Sequence, residues 1–376
     1  MNVTFKKNRL YLTEPDGFDF TYSALWLREM SDNPAFRDPQ TGHKIADADE
    51  LPLDLEINNL KIIDRHIEIT FSDLHQSTYS IDNLREYTEE PTSKELIGSK
   101  EYWDSNLDPL PWHDLTEIKN NPEQLLAALN DLSKLGFALI RNVPSEMDGM
   151  REFTDLLGPI RTTNNGIIED IKALPPGDVY DLSMTARALE PHTDNPFRWP
   201  QPGYVLLHCL SNTTEGGESG MTDGFRAAYE LKKQSPELFD VLCTVPINWK
   251  YSDEQAILED SSTFIELNRN QEVSHVRFHG RSDRVSITDP DKLDLFYKAR
   301  REFKKLIQSD ELEVRFKLKE GDMFIVDNYR IIHRRTAFKP ETGKRHMRQA
   351  YIDRDVISSR QKVLARDTNV QAWQAR

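Results

Sequence analysis

The chain has 376 residues, of which 38% are hydrophobic and 30% charged, and its formal net charge is −15. This acidic balance argues against nucleic-acid binding, which needs a basic surface to replace counterions. No apolar run approaches the roughly 18 residues of a membrane span and the N-terminus has no apolar signal core, so the sequence predicts a cytoplasmic protein with no membrane partner.

Short strands dominate the first hundred residues. The candidates are residues 3–5, 9–12, 61–64 and 66–71. The last two alternate with period two across a turn, which predicts a hairpin. Residues 32–53, rich in Asp, Pro, Asn and Gly, are predicted to form a loop. The polar, proline-containing segment 89–113 is the predicted linker. It divides the chain into a small β-rich domain at 1–105 and a larger domain at 106–376.

Helices and buried strands alternate in the larger domain. A helix is predicted from Pro122 to Gly136, with Leu125, Leu129 and Leu132 on its apolar face. The other predicted elements are helices at 225–242 and 292–307 and strands at 137–140, 203–210, 314–318 and 323–327. Many short strands with a few covering helices predict an α+β domain built on a β-sandwich or barrel.

The most informative motif is the tripeptide His192-Thr-Asp194, together with the distant His333. Each part lies next to a predicted buried strand, and neighbouring strand ends of a sandwich can bring the two together. Two imidazoles and one carboxylate form the facial triad of non-heme Fe(II) oxygenases, whose open face admits a 2-oxo acid and dioxygen. Arg345 follows His333 closely, and its planar, permanently charged guanidinium suits a carboxylate of such an acid.

Seven short segments extend this pattern over nearly the whole chain. They are residues 22–29 (YSALWLRE), 192–194 (HTD), 206–209 (LLHC), 216–219 (GGES), 223–225 (DGF), 328–333 (NYRIIH) and 345–351 (RHMRQAY). In order and spacing they resemble the 2-oxoglutarate-dependent oxygenases of the taurine dioxygenase superfamily. The resemblance is greatest to the γ-butyrobetaine hydroxylase and trimethyllysine dioxygenase branch.

The resemblance implies a double-stranded β-helix, or jelly roll, behind a small β-rich N-terminal domain, and it favours a homodimer. It implies Fe(II), 2-oxoglutarate and O2 as cofactors, with the metal on His192, Asp194 and His333. Arg345 and Ser219 match residues that hold the distal carboxylate of 2-oxoglutarate. Arg348 matches a second arginine, at the other end of the cosubstrate or on an anionic substrate.

The resemblance also implies hydroxylation of an aliphatic C–H bond in a small zwitterion of the betaine or amino-acid type. The aromatic cage with which such relatives hold trimethylammonium is largely missing, because Asn165, Glu169 and Met184 occupy three of its positions. A pocket of mixed charge is therefore predicted. Its expected substrate contacts are Asp181, Met184, Asn195, Phe197, His279, Arg281 and Tyr351.

Three alternatives stay open at this point. Residues 192–198 (HTDNPFR) resemble 2-(trimethylammonio)ethylphosphonate dioxygenases, which would make the substrate an organophosphonate. The same site could instead catalyse desaturation or cyclisation. A non-catalytic ligand-binding protein on the same fold is the third alternative.

A structural zinc is not expected. Zinc-containing relatives hold the metal with three cysteines and a histidine in the N-terminal domain. Here residues 30–36 (MSDNPAF) contain no cysteine, and only His75 remains as a candidate ligand. One histidine cannot form a closed tetrahedral site.

Overall fold

The computed structural model describes residues 1–45, 47–88, 100–174, 182–285 and 289–374. The chain forms two compact units, residues 1–93 and 94–376. Among the described residues, no helix is both long enough and apolar enough to cross a membrane.

The described residues of the N-terminal unit form two three-stranded antiparallel sheets and two α-helices. Its elements are β1 (Asn2–Lys6), β2 (Arg9–Thr13), β3 (Asp19–Ser23), α1 (Ala24–Glu29), β4 (Ile57–Ile63), β5 (His66–Phe71), β6 (Gln76–Ser80) and α2 (Ile81–Thr88). Period-two alternation buries Leu10, Leu12, Ile67, Ile69 and Phe71 in one core. The predicted hairpin is confirmed, since β4 pairs antiparallel with β5.

A hydrogen-bonded cluster surrounds His75 in this unit. Its Nε2 lies 3.0 Å from the hydroxyl of Ser31, and that hydroxyl lies 2.8 Å from the hydroxyl of Ser77. Arg28 donates to Asp73 at 2.9 Å, and its guanidinium carbon lies 3.8 Å from the centre of the Phe36 ring. His75 is thus held by hydroxyl and aromatic neighbours.

The described residues of the second unit form the following strands and helices. Its strands are β7 (Trp112–Asp114), β8 (Phe137–Arg141), β9 (Ile168–Lys172), β10 (Leu189–His192), β11 (Tyr204–Asn212), β12 (Glu215–Gly216), β13 (Ser219–Asp223), β14 (Ile247–Ser252), β15 (Ile257–Ser262), β16 (Ile265–Leu267), β17 (Val273–Val276), β18 (Asp283–Val285), β19 (Glu313–Phe316), β20 (Met323–Asp327), β21 (Ile331–Arg335), β22 (Phe338–Lys339) and β23 (Arg345–Ile352). Its helices are α3 (Leu115–Asn120), α4 (Pro122–Leu135), α5 (Arg151–Leu157), α6 (Gly224–Gln234), α7 (Pro236–Thr244), α8 (Pro290–Ile307) and α9 (Arg354–Gln374).

Two sheets pack face to face in this unit. One has six strands in the order β7-β8-β20-β11-β23-β9, and the other has four in the order β10-β21-β13-β19. Phe324, Val326 and Met347 from the first sheet pack against Met221 and Ile331 from the second. This sandwich is the jelly-roll core that the sequence analysis predicted.

Helices cover the outer face of the six-stranded sheet. Leu125, Leu129 and Leu132 of α4 pack there against Leu206 and Ile325 of the sheet. Helix α4 begins at Pro122 and ends before Gly136, as predicted from the sequence, and Gly136 has the left-handed conformation of a helix C-terminus, with φ 83°. The sheet therefore has a helix-covered face and a face turned to the second sheet.

The predicted domain boundary near residue 105 falls inside the second unit. Trp103 is buried in the sandwich core beside Phe137, and its indole Nε1 donates to the carbonyl of Leu135 at 2.7 Å. The segment after residue 99 therefore belongs with the jelly roll. The part of the predicted linker at 89–99 lies outside the described residues.

A helical insert with its own core lies between β13 and β19. Phe225, Leu242, Trp249 and Phe303 contribute to that core. The single helix predicted over 225–242 is wrong, since the chain breaks at Ser235 into α6 and α7. Proline disfavours helical geometry in the residue before it, and Ser235, which precedes Pro236, is extended with φ −153° and ψ 90°.

Candidate active site

The two histidines of the predicted triad face each other across a strand pair. Strand β10 runs antiparallel to β21, and His192 is the direct partner of His333 in that register. Asp194 follows two residues after His192, a separation that keeps side chains on one side of an extended chain. The ligand atoms of all three residues lie within 4.8 Å of one another.

The distances within the triad suit a shared metal ion. His192 Nε2 lies 3.3 Å and His333 Nε2 3.6 Å from the same oxygen, Asp194 Oδ1. Adjacent ligands of an octahedral ion with bonds of about 2.1 Å lie about 3 Å apart, so little adjustment would admit the ion. A nitrogen, nitrogen and oxygen donor set fits Fe(II).

The protonation of these groups also suits metal binding. The Nδ1 of His192 lies 2.8 Å from the carbonyl of Glu190, which can only accept, so Nδ1 carries the proton and Nε2 is free. Burial lowers the pKa of His333 to about 4, which keeps its imidazole neutral. Burial by itself raises the pKa of Asp194, but the facing imidazoles of His192 and His333 outweigh it, and the pKa of the carboxyl is lowered. Neutral imidazoles and an ionised carboxylate are the forms that bind a metal.

Arg345 is a buried cation that lines the same cavity and makes no salt bridge among the described residues. Arg345 is only 8% exposed, and its Nε and Nη1 atoms have no hydrogen-bond partner among the described residues. Burial lowers the pKa of the guanidinium to about 10, so it remains charged at neutral pH. A buried charge of this kind is costly unless an anion pairs with it. Ser219, 7% exposed on β13, lines the same cavity as Arg345 and the triad.

Arg348, which the resemblance assigns to the cosubstrate or an anionic substrate, is not among the residues that line this cavity. Side chains alternate along β23, and Arg348 lies three positions after Arg345, so the two face opposite sides of the sheet. The Arg348 guanidinium instead contacts the carbonyls of Met147 and Ile168 and the carboxylate of Asp170.

Five of the seven predicted substrate contacts line the cavity, whose volume is about 420 Å³. They are Asn195, Phe197, His279, Arg281 and Tyr351. Met184 is not among them: it is 3% exposed and lies at the end of a 3-10 turn whose other two residues line the wall. Asp181 lies outside the described residues.

Both ring nitrogens of His279 form hydrogen bonds with neighbouring side chains. Arg281 Nη2 lies 3.0 Å from His279 Nε2, and a guanidinium can only donate, so Nε2 is the acceptor. The proton is then on Nδ1, which lies 2.7 Å from the hydroxyl of Ser282. Burial lowers the pKa of His279 well below its usual value, so its ring is neutral.

The cavity wall contains residues that the sequence analysis did not single out. Among them are Arg198, Tyr251 and Gln349. Tyr251 stacks on Phe197 with ring centres 5.1 Å apart. Gln349 could have been found from Arg345, because residues four apart on a strand share a face. Arg198 and Tyr251 lie in a loop and in the insert, where no sequence periodicity points to the cavity.

Comparison with known proteins bears directly on this geometry. The family profile "Taurine catabolism dioxygenase TauD, TfdA family" matches residues 107–351, and "Gamma-butyrobetaine hydroxylase-like, N-terminal" matches residues 1–85. The chain belongs to the TauD/TfdA family. It is therefore a 2-oxoglutarate-dependent non-heme iron dioxygenase, which uses Fe(II), 2-oxoglutarate and O2. The alternative of a non-catalytic binding protein is set aside.

Similar TauD/TfdA-family proteins cover nearly the whole chain. A gamma-butyrobetaine dioxygenase of Pseudomonas sp. (strain AK-1) is 28% identical over 94% of this chain and 93% of its own. A trimethyllysine dioxygenase of Meyerozyma guilliermondii is 28% identical over 93% of this chain and 91% of its own.

The solved structure of an asparagine oxygenase with Fe(II), a hydroxyasparagine and succinate matches with a TM-score of 0.50 and 17% identity. The match covers 63% of this chain and 83% of that one. At this identity the likeness concerns the fold, and it supports the predicted jelly roll.

Proposed function

We propose that this dioxygenase hydroxylates an aliphatic C–H bond of a small zwitterionic metabolite. In this proposal His192, Asp194 and His333 bind Fe(II). Arg345 and Ser219 hold the distal carboxylate of 2-oxoglutarate. The observation that carries the proposal is that the triad and an unpaired buried guanidinium line a single cavity.

When bound, iron and 2-oxoglutarate supply the oxidising power that breaks an unactivated C–H bond. In the overall reaction, one substrate, one O2 and one 2-oxoglutarate are converted to hydroxylated product, succinate and CO2. The chain's part is binding and orientation. Arg345 anchors one end of the cosubstrate by charge-assisted hydrogen bonds. His192, Asp194 and His333 would hold the metal at the cavity wall, where the cosubstrate can reach it. Burial of the triad limits the access of water.

The charges along the cavity support a zwitterionic substrate. Glu169 and Asn165 lie on the wall together, with Asn165 donating to the Glu169 carboxylate at 3.1 Å. Arg198 and Arg281 supply positive charge. The aromatic pair of Phe197 and Tyr251 offers a face to an alkylated ammonium. The relatives named for gamma-butyrobetaine and trimethyllysine point to the same class of substrate.

A second candidate substrate is a zwitterionic organophosphonate. Arg198 contacts the amide of Asn164 and Arg281 contacts the imidazole of His279, and the buried Nε of Arg198 has no hydrogen-bond partner among the described residues. Two guanidiniums without counter-charges suit a tetrahedral dianion better than a single carboxylate.

The first test is anaerobic. Fe(II) and 2-oxoglutarate are added to the full-length protein, and the visible charge-transfer band of a 2-oxo acid chelated to iron is recorded. We expect the band with the wild type and its loss with His192→Ala. Absence of the band in metal-loaded wild type would contradict the proposal.

Substrates are then ranked by how they perturb this band. The panel consists of betaines, amino acids and aminoalkylphosphonates. Product mass decides the reaction: hydroxylation adds one oxygen atom, whereas desaturation or cyclisation removes two hydrogens. A phosphonate that perturbs the band at lower concentration than its carboxylate analogue would favour the second candidate.

We also propose, on the family resemblance, that the enzyme is a cytoplasmic homodimer. The N-terminal unit is proposed to be a small β-rich domain without zinc, and the second unit to be the catalytic domain. Light scattering of the purified chain tests the dimer.

A further inference from the structure

Gln349 contacts the carboxylate of the triad from the cavity wall. It lies on β23, four residues after Arg345 and on the same face. Its Nε2 donates to Asp194 Oδ2 at 2.8 Å. The hydroxyl of Tyr351 donates to the same oxygen at 3.1 Å and also contacts the Gln349 amide. One oxygen of Asp194 is therefore held by two donors from a single strand.

The two oxygens of Asp194 consequently have different surroundings. Oδ1 faces the Nε2 atoms of both histidines, whereas Oδ2 faces Gln349 and Tyr351. The backbone of Asp194 is fixed as well, because Asn328 Oδ1 accepts from its N–H at 2.7 Å and Asn328 Nδ2 donates to its carbonyl at 2.9 Å. The carboxylate has little freedom to rotate.

A carboxylate can bind a metal through one oxygen or through both. A second metal–oxygen bond at Asp194 would take a position that the 2-oxo acid or dioxygen needs. Hydrogen bonds to the outer oxygen oppose that mode and orient the inner oxygen. A side chain that donates to Oδ2 must be long enough to reach from β23 to Asp194. The Gln349 side chain is long enough, since its Nε2 donates to this oxygen.

We propose that Gln349 is a positioning residue that keeps Asp194 a ligand through one oxygen and, by orienting that oxygen, raises the affinity of the site for Fe(II). This inference rests on the proposed function, in which Asp194 binds the iron. Its defining consequence is an effect on metal affinity before any cosubstrate or substrate is present.

The experiment compares full-length wild type with Gln349→Leu, which has similar volume and no donor. Fe(II) affinity is measured anaerobically by competition with a chromophoric chelator. We expect a loss of about 10- to 100-fold, the usual effect of removing a partner of a metal ligand. Asn165→Ala is the matched control, because Asn165 is another cavity-lining amide but bonds to Glu169 instead of Asp194. It should leave Fe(II) affinity unchanged.

A second readout separates positioning from a general loss of structure. At saturating Fe(II) and 2-oxoglutarate, the charge-transfer band of Gln349→Leu should shift in wavelength, while the melting temperature of the metal-free protein stays near that of wild type. Gln349→Asn keeps the amide but is one methylene shorter, and we expect the same loss of Fe(II) affinity and the same band shift from it. This variant replaces Gln349→Leu in the experiment if the leucine variant does not fold.

The inference is overturned if both variants bind Fe(II) within about twofold of wild type with an unshifted band. This failure differs from failure of the proposed function, in which wild type itself forms no band and His192→Ala does not change metal binding.

Discussion

Arg330 and Asp223 form a bidentate ion pair that is almost completely buried. Arg330 Nε donates to Asp223 Oδ1 at 3.0 Å and its Nη2 donates to Oδ2 at 2.8 Å, with the two side chains 1% and 0% exposed. Asp223 also accepts from the N–H of Phe225 and so caps helix α6. The pair ties the end of β13 to the turn that precedes β21, the strand of His333.

Removing one member of this pair should destabilise the protein strongly. Asp223→Ala leaves the Arg330 charge buried and unpaired, which costs about 3–5 kcal/mol in the free energy of unfolding. Glu152→Ala, which breaks the exposed pair with Lys119, is the control and should cost less than about 1 kcal/mol. Urea denaturation monitored by circular dichroism measures both. If both variants lost the same free energy of unfolding, burial would not be the reason that the pair of Arg330 and Asp223 is important.

Arg345 and Arg348 should differ sharply in their effect on 2-oxoglutarate. Arg345→Gln removes a charge-assisted interaction worth about 1.5–3 kcal/mol, so the dissociation constant should rise by about 10- to 100-fold. Arg348→Gln should change it little, because its side chain lies on the opposite face of the sheet. Anaerobic titration of the charge-transfer band gives both values. A larger effect at Arg348 would refute the placement of the two side chains.

His208 should make the protein less stable in mild acid. It is 0% exposed on β11, and burial lowers its pKa to about 4. Below about pH 6.5 the unfolded chain takes up a proton at this position, whereas the folded protein does so only near pH 4, so stability falls as pH drops through this window. The largest effect of the one group is about 3 kcal/mol.

The variant His208→Leu should weaken this pH dependence. Urea denaturation at several pH values between 7 and 4 gives a curve of the free energy of unfolding against pH for each protein. The curve of His208→Leu is compared with those of wild type and of His43→Gln, which changes an exposed histidine. The curve for His43→Gln should follow wild type. If the curve for His208→Leu does so too, the buried imidazole does not titrate as described.

The cluster around His75 should stabilise the N-terminal unit without a metal. His75→Ala removes the contact with Ser31 at 3.0 Å and should cost about 1–2 kcal/mol without changing the metal content of the purified chain. Elemental analysis after growth in zinc-supplemented medium checks the metal content, and thermal unfolding checks the stability. Loss of one equivalent of zinc in the variant would show that a zinc site exists.

The triad was visible in the sequence because its ligands lie in short motifs beside strong strand signals. His192 and Asp194 are two residues apart, and buried apolar runs flank them and His333. The buried strands at 137–140 and 203–210 and the helix beginning at Pro122 were likewise predictable, since local periodicity and end residues determine them. These features depend on interactions between near neighbours in the chain.

Sequence alone therefore determined the enzyme class, the jelly-roll architecture and the identity of the candidate iron ligands. The tertiary structure decided which other side chains reach the cavity. For Gln349 the spacing from Arg345 already indicates the cavity face of β23, and the structure adds its contact with Asp194. Met184 is buried beside wall residues, and Arg198 reaches the wall from a loop. Such positions depend on register and on contacts between distant segments, which composition and spacing do not encode.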